Sequence, residues 1–91
     1  MMSATDRDLP PFDPSIQVLP GFYQHYKGGR YKVIEMARHS ETLEPMVVYR
    51  ALYGTHGLWV RPAQMFLEDV VVEGRLRPRF LRLENPTGDM S

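Results

Sequence analysis

Ninety-one residues hold one domain and no more. With no cysteine, the chain has neither a disulfide nor a thiolate for catalysis or zinc. Eleven Lys and Arg balance eleven Asp and Glu, so the chain lacks the excess charge that non-specific nucleic-acid binding requires. The hydrophobic share of 43% and charged share of 24% are ordinary for a globular domain, and one this small has a thin stability margin.

Residues 1–17 contain Pro10, Pro11 and Pro14, several acids and little apolar periodicity, which predicts a flexible or loosely docked arm. Their first eight residues lack the basic-then-apolar order of a signal peptide. The longest apolar runs, such as residues 46–49, are far too short to span a bilayer. The expectation is a soluble, cytoplasmic protein without a membrane partner. Residues 85–91 read as a second flexible tail. The domain between them, residues 18–84, holds nine of the ten aromatics.

Within the domain, glycines punctuate short strand-forming runs. Residues 22–26 and 31–38 flank Gly28-Gly29, a pair suited to the positive φ of a tight hairpin turn, so these runs pair antiparallel. Residues 46–53 are apolar on both faces apart from Arg50, which predicts a central strand covered on both sides. Gly54 to Gly57 turns the chain into residues 58–61. Pro62 suits the first position of a helical turn over residues 62–67, whose Met65 and Phe66 plug the core. Residues 70–72 and 80–83 flank a turn at Gly74 and close the sheet. The fold class is all-β and mainly antiparallel: a small, partly open SH3-like barrel of five or six short strands with one helical turn. An α+β roll is the alternative.

Several of these segments are familiar as a set. Residues 21–28 (GFYQHYKG), Tyr31-Lys32-Val33, residues 37–44 (ARHSETLE), residues 48–54 (VYRALYG), Leu58-Trp59-Val60-Arg61-Pro62 and Met65-Phe66 resemble the bacterial family called domain of unknown function 1653. The resemblance runs over about residues 20–82, with the motifs in order. It implies a compact domain, found alone or attached to others, and carries no activity, cofactor or site residue with it.

The densest polar stretch, residues 38–45, lies between two apolar strands. If residues 39–41 are extended, His39 and Glu41 point to one side, and a carboxylate beside an imidazole prepares a general base. That makes His39, Glu41 and Glu44 candidates for acid–base catalysis in a small hydrolase-like enzyme. The plainer reading is a wide hairpin loop whose side chains bond backbone amides, and a third is a recognition loop through Arg38, His39, Glu41, Thr42 and Glu44. No spacing of the three histidines and nearby acids matches a metal site, and no Gly-rich phosphate loop or nucleophile elbow is present, so neither metal nor cofactor is expected.

Tyr49, Arg50, Tyr53, Trp59 and Arg61 form the second constellation, with His25, Tyr26 and Lys27 contributed by the first hairpin. On the run 46–53, residues 47, 49, 51 and 53 share one face, and Arg50 lies on the other, where Glu41 or Glu44 would pair with it if it is buried. Alternatively Arg50 or Arg61 grips a carboxylate or phosphate in an aromatic-lined groove, while Trp59 as a lone tryptophan suits the core. A basic face arises if residues 21–40 and 75–84 adjoin. The leading reading is a non-catalytic binding module for an anionic small molecule, peptide or nucleic-acid segment. The alternatives are the hydrolase and a protein-docking or self-associating domain, with exposed strand edges allowing a homodimer.

Overall fold

The computed structural model describes residue 9 and residues 11–84. The first eight residues of the expected arm, Pro10, and the tail 85–91 lie outside the described residues. Among the described residues, seven strands form two antiparallel sheets, so the all-β class holds with a small helical part. The larger sheet has the order β4-β3-β2-β1-β7, built from β1 (Gly21–His25), β2 (Arg30–Arg38), β3 (Pro45–Ala51), β4 (Leu58–Pro62) and β7 (Phe80–Leu83). The second is a ribbon of β5 (Asp69–Val72) and β6 (Arg75–Pro78). Between β4 and β5 lies one helical turn, α1 (Ala63–Phe66). The larger sheet does not close on itself, and β4 and β7 are its edges.

The two glycines between β1 and β2 serve different purposes. Gly28 has φ +110°, which only glycine adopts without strain. A Cβ on Gly29 would stand 3.0 Å from the Tyr53 ring and 3.4 Å from Tyr31, so that position is small because two rings crowd it. In β2 the register with β3 slips between Val33 and Glu35. This bulge lets Tyr31 and Val33 face inward and then brings Met36, rather than Glu35, opposite buried Val47. Met36 also receives the Val18 amide on its sulfur at 3.3 Å.

Direct cross-strand partners share a face in an antiparallel sheet, so the register defines one inner face. It carries Tyr23 and His25 of β1, Tyr31 and Val33 of β2, Val47, Tyr49 and Ala51 of β3, Trp59 and Arg61 of β4, and Phe80 of β7. Ala63 and Phe66 of α1 are buried within this core, together with Val18. Residues 63 and 66, three apart on a helix, face the same way, whereas Met65 is 43% exposed and is not the plug expected of it.

Strand β3 is fully covered on one face only: Val47, Tyr49 and Ala51 are buried, while Arg50 is exposed. The expectation of a doubly covered strand fails because the outer face is only partly covered, with Met46 and Val48 half-buried and Arg50 in the open. The strand count also rises to seven. Glu73 and Gly74, both with positive φ, make a two-residue turn that pairs Val72 with Arg75, so β6 and not β7 follows the turn. Phe80–Leu83 instead crosses to the main sheet and pairs with β1. Arg79 links the two layers: its amide donates to the Glu68 carbonyl and its carbonyl accepts from the Tyr26 amide, both at 2.9 Å. Of the expected arm, residues 14–16 form a 3-10 turn capped by Asp13, and the Phe12 ring lies 4.4 Å beneath the Arg38 guanidinium.

Candidate functional site: an arginine and a histidine on an aromatic cluster

Phe80 is the hub of the inner face. Phe66 stacks parallel to it at 4.0 Å, and His25, Tyr31 and Tyr49 meet it edge-on at 4.9, 5.6 and 5.8 Å. The Arg61 guanidinium carbon lies over the same ring at 5.7 Å from its centroid. Arg61 Nε donates to the Tyr49 hydroxyl at 3.2 Å. The side chain is thus half-buried, fixed by a ring and a phenol, and has no carboxylate partner among the described residues. Tyr31 and Tyr53 hydrogen-bond through their hydroxyls, extending the cluster to the surface, where Tyr53 is 51% exposed.

His25 records the sign of this environment. Burial pushes its pKa below the ordinary 6.5, and the positive charges of Arg79, Arg61 and Lys27 push it further. Its Nδ1 accepts the Lys27 amide at 3.1 Å, so the neutral ring keeps its proton on Nε2. Cations from the first turn, β4 and the β6–β7 junction therefore converge on one imidazole. The histidine favours its neutral form when folded, so its contribution to stability is complete above about pH 6.5 and is lost as pH falls through the depressed folded value.

Burial first, and then the hydrogen bond with Tyr53, pushes the Tyr31 phenol up to about 12. Because the neutral phenol is the favoured folded form, stability from Tyr31 is present below about pH 10 and lost as pH rises from there toward 12. Tyr53→Phe is expected to bring the Tyr31 titration down toward 10. Ultraviolet tyrosinate titration checks it, and an unmoved late-titrating tyrosine would count against this pairing.

The residues singled out from the sequence fall into two groups that the fold does not bring together. Arg38 pairs with Pro45 at one end of the β2–β3 hairpin, while Tyr31 pairs with Ala51 at the other. Seven residue steps along the strand separate them, roughly 23 Å at ~3.3 Å per step. The loop at the far end is held by its own backbone. His39 Nδ1 accepts the Glu41 and Thr42 amides at 3.1 and 3.3 Å, Thr42 Oγ1 accepts the Glu44 amide at 3.1 Å, and Arg38 donates to the Leu43 carbonyl at 3.3 Å. Residues 40–42 are in a turn and not extended, so the alternation that would align His39 with Glu41 does not apply.

At the near end, Tyr49 and Arg61 touch and Tyr53 joins them through Tyr31. Trp59, paired with Tyr49 across the sheet, is 57% exposed rather than core. Arg50 is on the opposite face and donates to the His56 carbonyl at 2.8 Å, fixing the β3–β4 loop without Glu41 or Glu44. Sequence reasoning set His25 beside this group and Arg79 in a basic segment, but missed Tyr31 and Phe80. Extending the alternation argument to Tyr31 and Val33 would have found the first of these. Among the described residues, no three His, Asp or Glu side chains gather as metal ligands. No described helix is long and apolar enough to cross a membrane.

The molecule is therefore a small two-sheet β domain with an aromatic, cationic cluster on its inner face. The profile of the family "Protein of unknown function (DUF1653)" matches residues 21–82, and the chain belongs to that family. The crystal structure of a DUF1653 protein from Bordetella bronchiseptica is similar, with 37% sequence identity and a TM-score of 0.68. The alignment covers 72% of this chain and 87% of that one. No curated protein matches.

Proposed function

We propose that this domain is a non-catalytic binding module that recognises an anionic group on a small molecule, peptide or nucleic-acid segment through Arg61. The observation that carries the reading is the state of that side chain: half-buried, fixed by Tyr49 and Phe80, and without a carboxylate partner among the described residues. A guanidinium already ordered loses little entropy on gripping a carboxylate or phosphate. Exposed Tyr53 and Trp59 on the same face supply aromatic surface for the body of the ligand. Burial and neighbouring cations depress His25; an anion seated here offsets the cations, so binding strengthens as pH falls through the histidine's depressed pKa. Lack of cysteine suits work in a reducing bacterial cytoplasm. The bent sheet with one helical turn suits an open SH3-like module.

The test is a chemical-shift titration of the labelled protein with phosphate, acetate, nucleotides, acidic peptides and short single-stranded RNA. Saturable shifts at His25, Tyr31 and Arg61 are expected, and Arg61→Gln is expected to weaken binding by about tenfold or more. Silence of those residues toward every member removes the reading. Catalysis by His39 is less well supported, since its Nδ1 already accepts two backbone amides. Self-association is the second reading, favoured by the exposed Leu58, Trp59 and Val60 on edge strand β4. A sedimentation coefficient that rises with concentration, and falls back in Trp59→Lys, is its signature.

A further inference from the structure

We propose that a groove on the far side of His25 holds a nucleobase whose phosphate is bound by Arg77. This rests on the reading above only for the sign of the ligand's charge. The groove, about 230 Å³ and open on one side, lies where the end of β1 meets the junction of β6 and β7. Its apolar surfaces come from Tyr26, Pro78 and Leu81, and its polar edge from Gln24, His25 and Arg77. Among the described residues, no acidic side chain lines it. Of the acids on the neighbouring segment, Glu68 is engaged by Arg79 at 3.0 Å, and Asp69, the cross-strand partner of Pro78, is not among the residues that line the groove.

The polar edge has a definite donor and acceptor pattern. Gln24 Nε2 donates to the Gly28 carbonyl at 3.2 Å, which leaves the amide oxygen as an acceptor. His25 Nδ1 is occupied by the Lys27 amide, which leaves Nε2–H as a donor. Arg77 is exposed and has no ion pair among the described residues, and the Lys27 ammonium stands 5.8 Å from the Tyr26 ring centroid. A ligand that satisfies all of this has a flat ring, an edge with both a donor and an acceptor, and an attached anion. Every nucleobase presents such an edge, and a nucleotide adds the phosphate. An aliphatic carboxylate has no ring to lie on Tyr26, and a phosphorylated phenol has no donor for Gln24. Stacking and charge together make the site tolerant of base identity.

The experiment titrates the full labelled chain with adenosine monophosphate, uridine monophosphate, ribose phosphate, phosphotyrosine and a short single-stranded oligoribonucleotide. Both mononucleotides are expected to shift Gln24, Gly28 and Leu81 saturably. Arg77→Gln and Tyr26→Leu, at exposed positions that leave the amide spectrum folded, are each expected to weaken binding about tenfold. If the oligonucleotide binds far more tightly and loses affinity steeply with salt, the nucleotide comes from a strand. If it binds like the mononucleotides, the source is a free nucleotide. Groove resonances that stay still with both nucleotides overturn the proposal, as does an equal response to ribose phosphate or a stronger one to phosphotyrosine. Arg61→Gln separates the two sites: groove shifts that persist in it support a groove independent of Arg61. Phosphate shifts at Arg61 in the wild type with a silent groove leave only the earlier reading standing.

Discussion

Phe66→Ala is expected to cost about 3–5 kcal/mol of folding stability, the range for truncating a buried aromatic. Phe66 is 1% exposed and fills the space between Tyr23, Tyr49 and Phe80, at ring separations of 5.4, 5.5 and 4.0 Å. Helix α1 is only four residues long and has no side-chain cap, so nothing in its own sequence holds it as a helix. Its position depends on Ala63 and Phe66 being buried. A domain of this size has on the order of 5–10 kcal/mol to lose, so the substitution removes around half of it. Urea denaturation measures the effect, with a lower midpoint and an unchanged slope. Met65→Ala on the same helix is the control, expected within about 0.5 kcal/mol because the residue is largely exposed. A Phe66→Ala loss below about 1 kcal/mol would mean that α1 is not the lid of this core.

Local chemistry made parts of this fold legible. Gly28 required a turn, and the alternation of residues 47, 49 and 51 correctly put three side chains on one face. Phe66 next to a proline-started helical turn correctly read as core. Three features were not legible, each for a physical reason. The bulge at residue 34 leaves no mark in a pattern of apolar residues, because both Ile34 and Met36 are apolar and only the register tells them apart. The β5–β6 ribbon depended on a turn of two residues at Glu73-Gly74, and glutamate does not advertise a positive φ. Trp59 was assigned to the core on frequency alone, whereas it is an edge-strand residue with no layer over it among the described residues.

The site was half legible for a related reason. Arg61, Tyr49 and Tyr53 lie close in sequence and could be grouped by inspection. His25 could be added from the first hairpin, but Tyr31 and Phe80 come from β2 and β7, brought alongside only by the strand order. The polar loop 38–44 attracted attention through its density of functional groups. In the fold those groups mainly satisfy their own backbone, as Ser, Thr and His side chains do in tight loops. Density of polar residues signalled a turn, and the convergence of single residues from five strands formed the candidate site.

Phe80→Ala tests whether core and candidate site are one object. Like Phe66 it is buried, so a loss of about 3–5 kcal/mol is expected from the cavity alone. The two rings stack on each other, so the double variant should lose less than the sum of the single ones, with a coupling of about 0.5–3 kcal/mol. What sets Phe80 apart is its second set of contacts, with His25 and Arg61, which Phe66 does not touch directly. Removing the ring opens His25 to water and takes away the platform beneath Arg61. Burial is the largest cause of the depressed His25 pKa, so in Phe80→Ala that pKa is expected to rise toward 6.5. Anion affinity is expected to fall with it, because the guanidinium then has Tyr49 alone to order it. Met65→Ala, with its core intact, should leave both unchanged. An NMR titration of the His25 ring protons, run on folded protein in stabilising osmolyte, reads the first effect, and a phosphate titration reads the second. A destabilised Phe80→Ala whose His25 titration and phosphate response match the wild type would show that the ring serves packing alone and that the site does not depend on it.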